Sequence, residues 1–172
     1  MIMNLEIVKV GPLKTNCYIL SINNDVLVID PGDEYNKIKK AIANRNVNGV
    51  IVTHNHFDHI GALNYFDNIY DYNNLKEGIN KIGNFAFEVI YTPGHTNDSI
   101  CLYFKNENKM FVGDFIFKDG IGRIDLGGNI NDMIKSLHKI SHYDKNIYIY
   151  PGHGDFSKLG IELNKTKKYL KF

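Results

Sequence analysis

The chain reads as an α+β protein in which two mixed β-sheets pack together with helices on the outside. Three observations predict this. Short runs rich in Ile, Val, Tyr and Phe recur along the 172 residues, punctuated by Gly and Asn. Between them lie stretches with apolar residues three and four apart. The order of strands, then a helix, then the same again divides the chain into two βα halves.

Segments 5–10, 17–21 and 26–30 are expected as consecutive strands, with a hairpin tip at Asn23-Asn24 because Asn tolerates positive φ. After Pro31-Gly32-Asp33, the spacing of Ile38, Ala41 and Ile42 predicts a helix over 35–44. Residues 49–53 read as a buried strand, and helical spacing through Ile60, Leu63 and Tyr65 follows over 59–66. Four more strands are expected at 69–72, 85–92, 100–104 and 110–117. Residues 129–142 form an amphipathic helix with Ile130, Met133, Ile134, Leu137 and Ile140 on one face. The last strand is expected at 147–150 and the last helix at 159–170. With no internal repeat, low-complexity tract or linker, and 44% hydrophobic residues, residues 1–172 are expected to form one domain.

Composition narrows the function classes. A net charge of +1 with 23% charged residues lacks the basic footprint of a nucleic-acid binder. No apolar run approaches the length of a membrane span, and no secretory signal opens the chain. Cys17 and Cys101 lie in apolar runs and are expected as buried free thiols. The expected setting is the cytoplasm, with a small-molecule substrate and no nucleic-acid or membrane partner.

Five of the seven histidines fall in one pattern. Thr53-His54-Asn55-His56-Phe57-Asp58-His59 follows a buried strand, and His95, Asp114 and His153 each follow a later one. Residues two apart in an extended segment point to the same side, so His54 and His56 are expected to converge on one metal. Asp58 falls where the chain turns into a helix, a capping position, and with His59 is expected to serve a neighbouring metal. Strand ends entering loops are where rigid scaffolds hold reactive groups. Five imidazoles and two carboxylates suit Zn²⁺ or Fe²⁺ and exceed the needs of one four-coordinate ion. Two neighbouring divalent ions are therefore expected, zinc foremost, with iron or manganese as substitutes. Asp30 is expected either as an acceptor for the outer N–H of a metal-bound imidazole or as a turn residue before Pro31-Gly32. His138 and His142, four apart on a helix without companion ligands, read as a solvated face.

These residues resemble the metallo-β-lactamase-fold hydrolases, and among them the small glyoxalase II-like (hydroxyacylglutathione hydrolase-like) proteins. The resemblance covers nearly the whole chain. It includes Thr15-Asn16-Cys17-Tyr18, Ile29-Asp30-Pro31-Gly32, the Thr53–His59 box, Pro93-Gly94-His95-Thr96, Gly113-Asp114, Gly122-Arg123-Ile124-Asp125, Pro151-Gly152-His153-Gly154 and the tail Ile161-Glu162-Leu163-Asn164. It implies an αββα sandwich. It also implies a first metal on His54, His56 and His95, a second on Asp58, His59 and His153, and Asp114 between them. Asp58, His59 and Asp114 then carry the catalytic centre, where a hydroxide held between the metals attacks a thioester such as S-lactoylglutathione. The zinc β-lactamases usually have Cys at the bridging position and the flavodiiron proteins typically have Glu at the position of His56, so the resemblance favours the hydrolase branch.

Arg123 matches a basic residue that contacts glutathione in that family and is expected to bind a substrate carboxylate or to pair with Asp125 or Asp119. The family's C-terminal glutathione-binding helical domain is expected to be absent. Lactone hydrolysis and an iron-dependent persulfide dioxygenase are the alternative activities, and a non-enzymatic metal-binding module is disfavoured because no ligand position is lost.

Overall fold

The computed structural model describes residues 2–167. In chain order, β1 (Asn4–Val10), β2 (Thr15–Ile22) and β3 (Asp25–Ile29) precede α1 (Tyr35–Ile42) and β4 (Asn46–Ile51). α2 (Phe57–Ile60), β5 (Ile69–Tyr70), β6 (Gly78–Ile82), β7 (Phe85–Tyr91), β8 (Ile100–Phe104) and β9 (Lys109–Gly113) follow. The chain continues through β10 (Ile116–Phe117), β11 (Gly120–Ile121), α3 (Ile130–Ile140), β12 (Tyr148–Pro151), β13 (Ser157–Lys158) and α4 (Leu159–Lys165).

The first sheet has the order β1-β2-β3-β4-β5, and the second β13-β12-β9-β8-β7-β6, with β10-β11 as a separate hairpin. Both sheets are mixed: β3, β4 and β5 run parallel, as do β9 and β12, while the other pairs are antiparallel.

Alternation along the strands builds the layers. In β2, Tyr18, Leu20 and Ile22 face the second sheet, while Cys17 and Ile19 face α1. The central layer packs Leu27, Ile29 and Ile51 of the first sheet against Phe87, Leu102 and Phe111 of the second. Met133, Leu137 and Ile140 of α3 and Leu159 and Leu163 of α4 cover the outer face of the second sheet. The sequence is thus helix, sheet, sheet, helix. Replacing a central residue such as Phe111, fully buried between Tyr18 and Tyr150, with Ala costs about 3–5 kcal/mol.

Several local expectations change. The helix expected over 59–66 divides into α2 and a short 3₁₀ turn at Leu63–Tyr65, because the peptide around Gly61 lies against the Gly32 carbonyl. The strand expected over 110–117 stops at Gly113, whose φ is +50°, and resumes as the β10-β11 hairpin. That break lifts Asp114 out of the sheet. Strands β6, β11 and β13 carry weak apolar patterns and were not anticipated. The last helix is observed over Leu159–Lys165, and residues 168–170 of its expected span lie outside the described residues. No helix among the described residues is long and apolar enough to cross a membrane.

Candidate metal centre

The strand ends and loops at one edge of the sandwich deliver seven side chains to one place. His54, His56 and His95 form one group of mutually adjacent ligand atoms, Asp58, His59 and His153 another, and His54, His59 and Asp114 link them. Asp114 stands between the groups: Oδ2 lies 3.6 Å from His95 Nε2 and 3.4 Å from His153 Nε2, and Oδ1 lies 3.4 Å from His59 Nε2. Asp58 Oδ2 is 3.1 Å from His153 Nε2 and 3.5 Å from His59 Nε2. His56 Nδ1 and His95 Nε2 approach to 2.9 Å.

Each ring is held from behind. The outer nitrogen of His59 meets Asp30 Oδ2 at 2.9 Å, that of His95 the Arg123 carbonyl at 2.6 Å, and that of His153 the Leu13 carbonyl at 3.1 Å. His54 Nδ1 lies 3.1 Å from Thr53 Oγ1, and His56 Nε2 lies 3.4 Å from the Leu126 carbonyl. An imidazole whose outer N–H is given to an oxygen presents a lone pair inward, the tautomer a cation requires. The inward atoms His54 Nε2, His59 Nε2 and Asp114 Oδ1 are buried with no hydrogen-bond partner. A buried polar atom left alone costs about 1–3 kcal/mol, so three converging on one point mark a place built for a positively charged occupant. The all-nitrogen-and-carboxylate donor set fits divalent zinc, iron or manganese.

Local chemistry explains the aim of each element. Asp30 has φ +53°, a conformation Asp tolerates better than most residues. It accepts from Thr53 N and Thr53 Oγ1, both at 2.7 Å, as well as facing His59. Asp30 is therefore the acceptor behind the ring and not merely a turn residue. Asn129 caps α3 by accepting from Asn131 N and Asp132 N. The start of that helix fixes the His95 turn through Asn129 N to the Gly94 carbonyl and Ser136 Oγ to the Pro93 carbonyl. At the His153 turn, a Cβ on Gly152 would stand 2.2 Å from Asp114 Oδ1 and 2.6 Å from His59 Cε1, so only glycine fits.

The electrostatics follow from this crowding. Burial pushes the His54 imidazole well below its ordinary value. Burial also opposes charge on His59, but the Asp30 and Asp114 carboxylates outweigh it and push that ring up to about 10. Burial alone would raise the Asp114 carboxyl, yet the His153 and His59 imidazoles beside it hold it well below the usual carboxylate range.

One expectation is revised here, and one of the two readings of Arg123 is observed. Asp58 does not cap α2, whose N-cap is His56 without a side-chain bond; its carboxylate accepts from Thr15 Oγ1 at 2.9 Å and joins the ligand cluster. Arg123 lines the pocket above the cluster, but its guanidinium is taken by Asp125 through contacts of 2.7 and 2.5 Å, while Asp119 pairs with Lys165. His138 on the exposed side of α3 and His142 just past the end of that helix stand edge-to-face at 5.1 Å, outside every ligand cluster among the described residues.

Support residues without an assigned role in the sequence also emerge. Asn16 Nδ2 donates to the Pro151 and Gly154 carbonyls, and the Tyr18 hydroxyl donates to the Pro151 carbonyl at 2.5 Å, fixing the His153 turn from β2. The available signal was two adjacent polar residues, Thr15 and Asn16, opening a largely apolar strand.

The metallo-beta-lactamase superfamily profile matches residues 10–82 and 75–153. A probable metallo-hydrolase, YqgX, of Bacillus subtilis is 31% identical over 184 positions, covering 84% of this chain and 87% of its own. A hydroxyacylglutathione hydrolase of Francisella tularensis subsp. novicida is 32% identical over 160 positions, covering 82% of this chain; the match spans 63% of that protein's length. Among solved structures, the BLEG-1 B3 metallo-beta-lactamase superposes with a TM-score of 0.87 at 26% identity, covering 94% of this chain and 97% of that one. The fold, the ligand cluster and these matches agree: the chain belongs to the metallo-beta-lactamase superfamily.

Proposed function

We propose that the protein is a binuclear metal-dependent hydrolase that cleaves thioesters. The observation that carries this is the inward convergence of six ligand side chains around Asp114, at the floor of a pocket of ≈ 990 Å³. In this reading His54, His56 and His95 would hold one divalent ion and Asp58, His59 and His153 a second, with Asp114 available as a ligand between the two groups. Such a pair supplies a water made nucleophilic near neutral pH, its pKa lowered from about 15.7 to about 7, and a Lewis acid for the carbonyl oxygen.

The carboxylates and imidazoles of the pocket are engaged in the ligand cluster, and no other side chain there suits covalent attack. The pocket lining offers no Ser, Cys or Lys. Cys17 and Cys101 are buried away from it, and burial pushes the Cys101 thiol up to about 12 and the Cys17 thiol well above its ordinary value. The attacking group is therefore water. Asp58, whose carboxylate lies in the same cluster, would accept its proton, while Asp114 stays ionised as a ligand. A thiolate leaves more readily than an amide nitrogen, and the similarity to hydroxyacylglutathione hydrolases supports the same bond class.

The test is metal content of the purified protein beside initial rates on S-lactoylglutathione, a glutathione-free thioester, a lactone and a β-lactam. The expected result is about two metals per chain and thioester hydrolysis that chelation abolishes and metal restores. Two bound metals with no thioester turnover, or faster β-lactam or lactone cleavage, would overturn the proposal.

A further inference from the structure

The walls of the pocket differ in character from its floor. Leu13, Phe57, Phe117, Ile121 and Leu126 surround the approach to His56, His95, Asp114 and His153. Phe57 is 73% exposed, and Leu13 and Leu126 are about half exposed, so an apolar rim stands open beside the ligand cluster. Leaving several large apolar side chains together in water forgoes burial, and an apolar patch of this kind at a concave site marks what the site takes in.

The walls are also fixed in place. The Leu13 and Leu126 carbonyls are the groups that face the outer nitrogens of His153 and His56. Phe117 and Ile121 belong to the β10-β11 hairpin, which the fully buried Glu162 carboxylate anchors by accepting from Asp119 N at 2.7 Å. Glu162 is held in turn by Ser157 Oγ and Lys165 Nζ. A wall tied to its own floor loses little freedom when a ligand arrives.

Charge on the walls is cancelled. Arg123 is the one Lys or Arg in the lining, and its fork is matched by both oxygens of Asp125. A fork already filled by a carboxylate must give it up before it binds another.

We infer that the site selects an acyl group with an aliphatic or aromatic chain of several carbons, laid along Leu13, Phe57, Phe117, Ile121 and Leu126, and that Asp125 masks Arg123 from anionic carriers. The location of the acyl carbonyl rests on the function proposed above; the apolar wall does not. Calorimetric titration of zinc-loaded protein with straight-chain carboxylates from acetate to octanoate separates the two, because it needs no turnover. The expected result is an affinity that rises about two- to fourfold per methylene. Leu126→Asn, at an exposed position that tolerates change, flattens that rise, and Phe117→Ser does the same. Asp125→Ala raises affinity for S-hexylglutathione up to about fivefold, the scale of an exposed ion pair, and leaves hexanoate unchanged. An affinity independent of chain length, or S-hexylglutathione binding to wild type that Arg123→Ala abolishes, overturns the inference whether or not thioesters are hydrolysed. A rising series stands even if no thioester turns over.

Discussion

The Asp30 carboxylate lies 2.9 Å from Nδ1 of His59, and Nε2 of the same ring lies 3.4 Å from Asp114. One imidazole thus joins a buried acid behind the site to the acid at its centre. Asp30 also receives both polar groups of Thr53, so it aligns the strand end that carries His54. Asp30→Asn preserves size and one acceptor oxygen but removes the charge behind His59. The expected outcome is a folded protein whose affinity for metal at the Asp58, His59 and His153 group falls about 10–100-fold, measured by chelator competition.

At the opposite group the expectation concerns turnover. His56→Ala removes a ligand from a half-exposed position, and Asp114→Ala removes the carboxylate shared by both groups. Each variant is expected to fold, by circular dichroism, and to lose at least about 100-fold in hydrolysis. Wild-type rates with unchanged metal content in either variant would contradict the assignment.

Gly152→Ala tests the geometry without replacing a ligand. Its new methyl carbon would enter within 2.2 Å of Asp114 Oδ1 and 2.6 Å of His59 Cε1. The expected result is loss of one metal per chain, read by elemental analysis, with the thermal unfolding transition retained.

Protein stripped of metal by chelation has a pH profile dominated by three groups of the cluster. His59 is raised to about 10, so its stabilising contribution is full below about pH 6.5 and fades as pH rises through about 10. Asp114 is depressed, so its contribution is present above about pH 3.9 and fades as pH falls below that. His54 is depressed by burial, so its contribution is present above about pH 6.5 and fades as pH falls below that, and the stripped protein is therefore expected to be most stable near about pH 6.5, as measured by calorimetry. Metal must displace the His59 proton, so titration at pH 7 in buffers of differing ionisation enthalpy is expected to show about one proton or more released per chain. Binding without proton release would contradict the His59 assignment.

Glu162→Ala leaves the Asp119 N–H without its acceptor beside the pocket. The expected cost is about 1–3 kcal/mol in urea unfolding. An accompanying rise in KM larger than the fall in kcat is expected, because the hairpin carries Phe117 and Ile121.

The periodic elements were the legible part of the fold. The strands around Leu20, Val28 and Leu102 and the face of α3 around Met133 and Leu137 announce themselves through repeated burial, because packing rewards one period over many residues. Short strands such as Gly78–Ile82 and Ser157–Lys158 carry too few buried residues to show a period, and pairing with longer neighbours defines them. The seven ligand-type residues were legible because metal chemistry restricts residue identity at each position. Their support was less so: the carbonyls of Leu13, Arg123 and Leu126 hold histidines by backbone alone, and any residue type supplies a carbonyl. The Asp125 partner of Arg123 was one of two acids nearby in sequence, and only the turn after β11 brings it into a two-pronged contact.

An anomalous-scattering map from crystals of the metal-loaded protein tests the central assignment most directly. Two peaks are expected, one about 2.0–2.2 Å from nitrogens of His54, His56 and His95, the other at that range from Asp58, His59 and His153, with Asp114 between them. A single peak, or peaks coordinated by other side chains, would contradict it.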